Sequence, residues 1–92
     1  MSVGGALVGR DAWRVLIVED DPDCALLHRK LVDATPGFAT VGVTSEGEAA
    51  FVAARRLEPD LAIVDLTMPG TDGMAFLKRV RGESVPVDAI VV

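Results

Sequence analysis

From Trp13 onward the chain alternates two kinds of apolar pattern. Val15-Leu16-Ile17-Val18 and Leu61-Ala62-Ile63-Val64 are short unbroken apolar runs. Runs of that length predict strands buried on both faces. Phe38 to Val43 reads as another strand, with Val41 and Val43 on one face, and Ala89-Ile90-Val91-Val92 as a fourth, after Pro86. Between the strands, apolar residues recur at helical spacing. Cys24, Leu27, His28 and Leu31 mark the inward face of a first helix, and Ala50, Ala54 and Leu57 that of a second. A third places Leu77 and Val80 inward and Lys78, Arg79 and Arg81 outward, with Phe76 expected at the surface.

The punctuation agrees with this division. Asp21 can cap the first helix with Pro22 at its first position, where a missing N–H costs nothing, and Pro36-Gly37 stops it. Ser45 and Glu48 have capping-box spacing at the start of the second. Glu58-Pro59-Asp60 breaks before the third strand, and Met68-Pro69-Gly70-Thr71-Asp72-Gly73 turns after it. The order β-α-β-α-β-α-β, without internal repeat, predicts an α/β fold: a parallel sheet with helices on both faces. Ligand sites in such sheets lie beyond the carboxyl ends of the strands.

Composition narrows the picture. Ninety-two residues suit one domain. Half the residues are hydrophobic, with three Phe, one Trp and no Tyr, so the core is built from small aliphatic side chains. A net charge of −5 argues against nucleic-acid binding by this surface. No stretch has the length of a membrane span. Met1 to Gly9 is apolar, but no basic residue precedes it and Arg10-Asp11 follows at once, so it does not read as a signal peptide. With Gly4, Gly5 and Gly9, residues 1–12 are expected to form a flexible extension ahead of the domain at 13–92. The single Cys24 excludes an internal disulfide, fits a reducing cytoplasm and reads as a small buried hydrophobe.

The candidate chemistry lies at two strand ends. Glu19 and Asp20 follow the first strand and Asp65 follows the third. If those strands are neighbours, three carboxylates converge, and unit charges a few Å apart repel by roughly 4 kcal/mol per pair at a surface-like dielectric. A divalent cation would relieve this, and an all-oxygen set favours Mg²⁺ or Ca²⁺, with Mg²⁺ the better match to so sparse a site. Acids after strands are also common helix caps, and spacing alone leaves metal site and solvated loop both open.

V-L-I-V-E-D-D-P at 15–22, taken with D-L-T-M-P-G-T-D-G at 65–73, resembles the paired signature of response-regulator receiver domains. L-H-R-K-L-V-D at 27–33, P-G-F at 36–38 and P-V-D-A-I-V-V at 86–92 look most like the regulators of citrate and dicarboxylate sensing. The resemblance implies a flavodoxin-like sheet in the order 2-1-3-4, with four strands and three helices present and the family's fifth strand missing. It implies that Asp65 accepts a phosphoryl group from a phosphohistidine on a sensor histidine kinase. Asp20 and Asp65 would bind Mg²⁺ directly, Glu19 through water, and Thr67 through its backbone carbonyl. The metal offsets crowded negative charge, and a carboxylate nucleophile gives a labile acyl phosphate suited to a reversible signal. His28 reads as core or boundary packing, and Met68-Pro69-Gly70 as a rigid turn that aims Asp65 and Thr67.

Two rivals are weighed. Aspartate-nucleophile hydrolases carry a second Asp two positions after the nucleophile, where this chain has Thr67. A degenerate receiver could serve only as an interaction or dimerisation module. The family pattern next expects a Ser or Thr and a Lys, both beyond Val92. It follows, as an expectation, that residues continue past 92, or that the chain self-associates through an exposed fourth strand. DNA would be reached only through an output domain outside these residues, controlling transcription, and no membrane association is expected.

Overall fold

The computed structural model describes residues 12–65 and 73–92. Four strands and three helices alternate: β1 (Trp13–Val18), α1 (Pro22–Ala34), β2 (Phe38–Thr44), α2 (Gly47–Leu57), β3 (Leu61–Val64), α3 (Gly73–Gly82) and β4 (Asp88–Val91). The strands form one parallel sheet, as the pattern implies, in the order β2-β1-β3-β4 that the resemblance implies. The two unbroken apolar runs lie side by side, with Val15 to Val18 in register with Leu61 to Val64.

Alternation along the strands divides the core in two. Leu16, Val18, Ala62 and Val64 face α2 and α3, where they pack with Ala50, Phe51, Ala54, Phe76, Leu77 and Val80. Val15 and Ile17 face the other way, against Val32 of α1, with Phe38, Leu61 and Ile63 at the margin. Arg79 ties α2 to α3: its guanidinium lies 4.0 Å from the centre of the Phe51 ring and pairs with Glu48 and Glu83. Gly42 is where β2 meets its neighbours closely, since a Cβ there would stand 2.9 Å from Leu57 Cδ1.

Several local expectations hold. Asp21 caps α1, its Oδ1 accepting from the N–H of Asp23 at 2.9 Å and of Cys24 at 3.4 Å, with Pro22 opening the helix. Gly37, at φ +87°, turns the chain after α1.

Others are corrected. The inward row of α1 is Ala25, His28 and Val32; Cys24 is exposed, and Leu27 and Leu31 are 55% and 58% exposed. Rows 24/27/31 and 25/28/32 both satisfy helical spacing, and the one with the short Ala25 lets the helix lie close on the sheet. Phe76 is buried to 1% exposure, filling the space between α3 and the sheet that small aliphatic residues leave open. The cap position of α2 is Glu46, whose side chain makes no capping hydrogen bond, and Glu48 turns instead to Arg79.

Candidate acidic site at the strand ends

Glu19 and Asp65 are each the first residue past a central strand. Because Val18 is in register with Val64, the two acids stand opposite one another across neighbouring strands, whose axes are about 4.8 Å apart. The sheet holds both in place: the Glu19 N–H donates to Thr44 O at 2.9 Å and the Asp65 N–H to Val18 O at 3.3 Å. Asp20 follows, half-buried. Alternation turns the Glu19 side chain to the α1 side of the sheet, after Val15 and Ile17.

Glu19 is the buried acid of the described core, at 4% exposure. Its Oε2 accepts from the Asp21 N–H at 3.3 Å, and its Oε1 lies 4.0 Å from His28 Nδ1. Burial pushes its carboxyl above the usual range. The charge of Asp65 and a side-chain hydrogen bond with Asp65 push the same way, against the Asp21 N–H and His28.

Two carboxylates at neighbouring strand ends repel one another. A cation between them would offset both charges with an oxygen-only donor set, which suits a hard dication. Among the described residues no group of three or more His, Cys, Asp and Glu side chains gathers closely enough to hold a metal by itself. The convergence is therefore a pair, Glu19 with Asp65, beside Asp20. That pair still fits Mg²⁺, which binds through one or two carboxylates and retains several waters. Thr67, the expected carbonyl ligand, and the Met68-Pro69-Gly70 turn lie outside the described residues.

The contact that sequence reasoning missed is the one between His28 and Glu19. A helical pattern can put His28 inward, but only the rotation set by Ala25 and Val32 aims its ring at the end of β1.

Residues 15–92 match the family described as the response regulator receiver domain. Over 79 residues the chain is 43% identical to the "Probable C4-dicarboxylate response regulator DctR" of Halalkalibacterium halodurans, covering 86% of this chain and 34% of that protein. The crystal structure of the response regulator domain of Thermotoga maritima CheB superposes with a TM-score of 0.80 at 29% identity, over 87% of this chain and 59% of that one. The MaeR response regulator bound to beryllium trifluoride gives a TM-score of 0.77 at 26% identity, over 86% of this chain and 65% of that one. The chain thus spans about a third of the length of the curated DctR relatives it matches. Among the described residues no helix is long and apolar enough to cross a membrane. With parallel strands in the order 2-1-3-4, acids at the ends of the central pair and a family match that begins at β1, the chain belongs to the response-regulator receiver domains of two-component signalling.

Proposed function

We propose that this domain is a phosphoacceptor switch, with Asp65 as the residue that takes the phosphoryl group. The observation that carries the reading is the Glu19–Asp65 pair, held opposite one another by the β1–β3 register with Glu19 buried. In the transfer, an Asp65 carboxylate oxygen bonds to phosphorus as the P–N bond to a histidine of a sensor kinase breaks. The imidazole leaves with the electron pair and takes up a proton. Asp20 and Asp65 would hold Mg²⁺ directly and Glu19 through water, with the carbonyl of Thr67, which lies outside the described residues, as the further ligand the family resemblance implies. When bound, that ion supplies positive charge against the oxygens of the incoming group. MaeR, similar to this chain, is bound to beryllium trifluoride in its structure, which supports a site for a small phosphoryl-like anion here. The likeness to DctR proteins extends the reading to cytoplasmic signalling about dicarboxylates, with transcription controlled through an output domain outside these residues.

Intact mass after incubation with acetyl phosphate tests the first step. The expected result is a Mg²⁺-dependent gain of one phosphoryl group that Asp65→Asn abolishes. An equal gain in the Asn variant would remove Asp65 from the role.

The second reading is an interaction module that self-associates along β4. It is favoured by Ile90, Val91 and Val92, each about half exposed on or beside a strand that pairs with β3 alone among the described residues. Sedimentation velocity separates the readings: a dimer dispersed by Ile90→Lys supports self-association, and a monomer at all concentrations removes it.

A further inference from the structure

The acid pair has a nitrogen neighbour that the phosphoacceptor reading does not use. His28 lies in the row of α1 that faces the sheet, between Ala25 and Val32, with its side chain 23% exposed. The exposure belongs to the rest of the ring, because Nδ1 is buried and has no hydrogen-bond partner among the described residues. That atom points to the acid site, 4.0 Å from Glu19 Oε1, about 1 Å beyond a normal N–H···O hydrogen bond. A buried polar nitrogen without a partner is uncommon, and one aimed at a buried carboxylate has an obvious partner.

We infer that His28 is a positioning residue for the Mg²⁺ site, its Nδ1–H closing on Glu19 Oε1 to fix how that carboxylate faces the metal. The inference rests on the reading of Glu19, Asp20 and Asp65 as the Mg²⁺-binding acids. The geometry favours it on three counts. Glu19 already has its other oxygen held by the Asp21 N–H, so a second donor at Oε1 fixes both ends of the carboxylate. Each oxygen keeps a further lone pair for a metal-bound water. The Asp21 cap and Val32 pin α1 at either end of the stretch that carries His28, so the missing 1 Å can come from ring rotation without movement of the helix. Donors to metal-binding side chains commonly set affinity in this way, and their loss typically costs about 10–100-fold.

The alternative is a ring that only fills space at the edge of α1. Leu fills similar volume without a donor, whereas the side-chain amide nitrogen of Asn sits as far from the backbone as Nδ1. The test compares the 92-residue chain with His28→Leu and His28→Asn. Mg²⁺ dissociation constants come from amide NMR titrations, and the protonation of the His28 ring nitrogens from imidazole ¹H–¹⁵N correlation spectra with and without Mg²⁺. The expected result is about a tenfold weaker Mg²⁺ affinity in His28→Leu, with most of it restored in His28→Asn. In the parent the Nδ1–H resonance should shift as Mg²⁺ saturates. Parent-like Mg²⁺ affinity in folded His28→Leu overturns the role of His28 and leaves the metal site standing. If the Leu variant does not fold, a bare Nδ1 in the Mg²⁺-loaded parent overturns it equally. No saturable shift at Glu19, Asp20 or Asp65 in the parent overturns the Mg²⁺ reading, and the His28 role with it.

Discussion

Among the described residues the two faces of the sheet are built differently, and Glu19 turns to the thinner one. On one side α2 and α3 together cover Leu16, Val18, Ala62 and Val64, and two Phe side chains fill the gap. On the other, α1 alone covers Val15 and Ile17 through Val32, while Ile63 is only partly covered. Glu19 and His28 belong to this second face. The β1–β3 register sets Glu19 against Asp65 just past the strand ends, and alternation turns the Glu19 side chain toward α1.

The largest test of that division is a pair of truncations. Phe76→Ala, in the thick face, should cost about 3–5 kcal/mol in urea unfolding. Val32→Ala removes two methyl groups from the thin face and should cost about 1–2 kcal/mol. Equal losses would mean that the two faces share the load and that the asymmetry is only one of coverage. Asp21→Ala comes next, at about 1 kcal/mol, because it removes the acceptor for the first free N–H groups of α1. A change in unfolding midpoint well below that would show that Pro22 and the packing of Ala25 start the helix without the cap.

A smaller effect should come from the buried acid and should depend on pH. The Glu19 carboxyl is raised in the folded chain, so the folded state keeps that proton to a higher pH than the unfolded state does. Between the ordinary value of 4.5 and the raised one, the folded state binds more protons and stability falls as pH rises. Above the raised value the full penalty persists; below 4.5 it is gone. Glu19→Gln should therefore be more stable than the parent at neutral pH, with the difference closing as pH is lowered through that window. Paired urea midpoints across the pH range check this without Mg²⁺, and a pH-independent difference would show that burial of the charge is not the cause.

The parts of this molecule that a linear sequence records were legible in it. Val15 to Val18 and Leu61 to Val64 are unbroken apolar runs because their residues meet protein on both faces, and the acids that follow stand out for the same reason. Asp21-Pro22 carries its own capping chemistry. What was not legible depends on rotation about a helix axis. The row 24/27/31 is richer in large apolar residues than 25/28/32, yet the second row faces the sheet. The choice is made by how closely β1 and β2 let the helix approach, which is a property of the packed pair. The His28–Glu19 contact follows from the same rotation and was hidden with it. Phe76 reads as a surface residue from spacing because its burial depends on the gap between α3 and the sheet, which no spacing along the chain encodes.

The smallest expected effect settles which row is inward. Leu27 and Leu31 are the large residues of the row that the apolar pattern favours, and both stand more than half in solvent. Leu27→Gln exchanges one exposed side chain for another of similar length and helix propensity. It should change stability by no more than about 0.5 kcal/mol, the usual range for a surface position. Were the 24/27/31 row packed on the sheet, the same change would put an unsatisfied amide in the core. The loss would then exceed that of Val32→Ala, since an unpaired buried polar group adds its own penalty to the lost packing. Measured beside Val32→Ala in one urea series, Leu27→Gln thus reads out the rotation of α1. A loss larger than that of Val32→Ala would turn the helix by one residue, carry the His28 ring away from Glu19 and remove the geometry on which its positioning role depends.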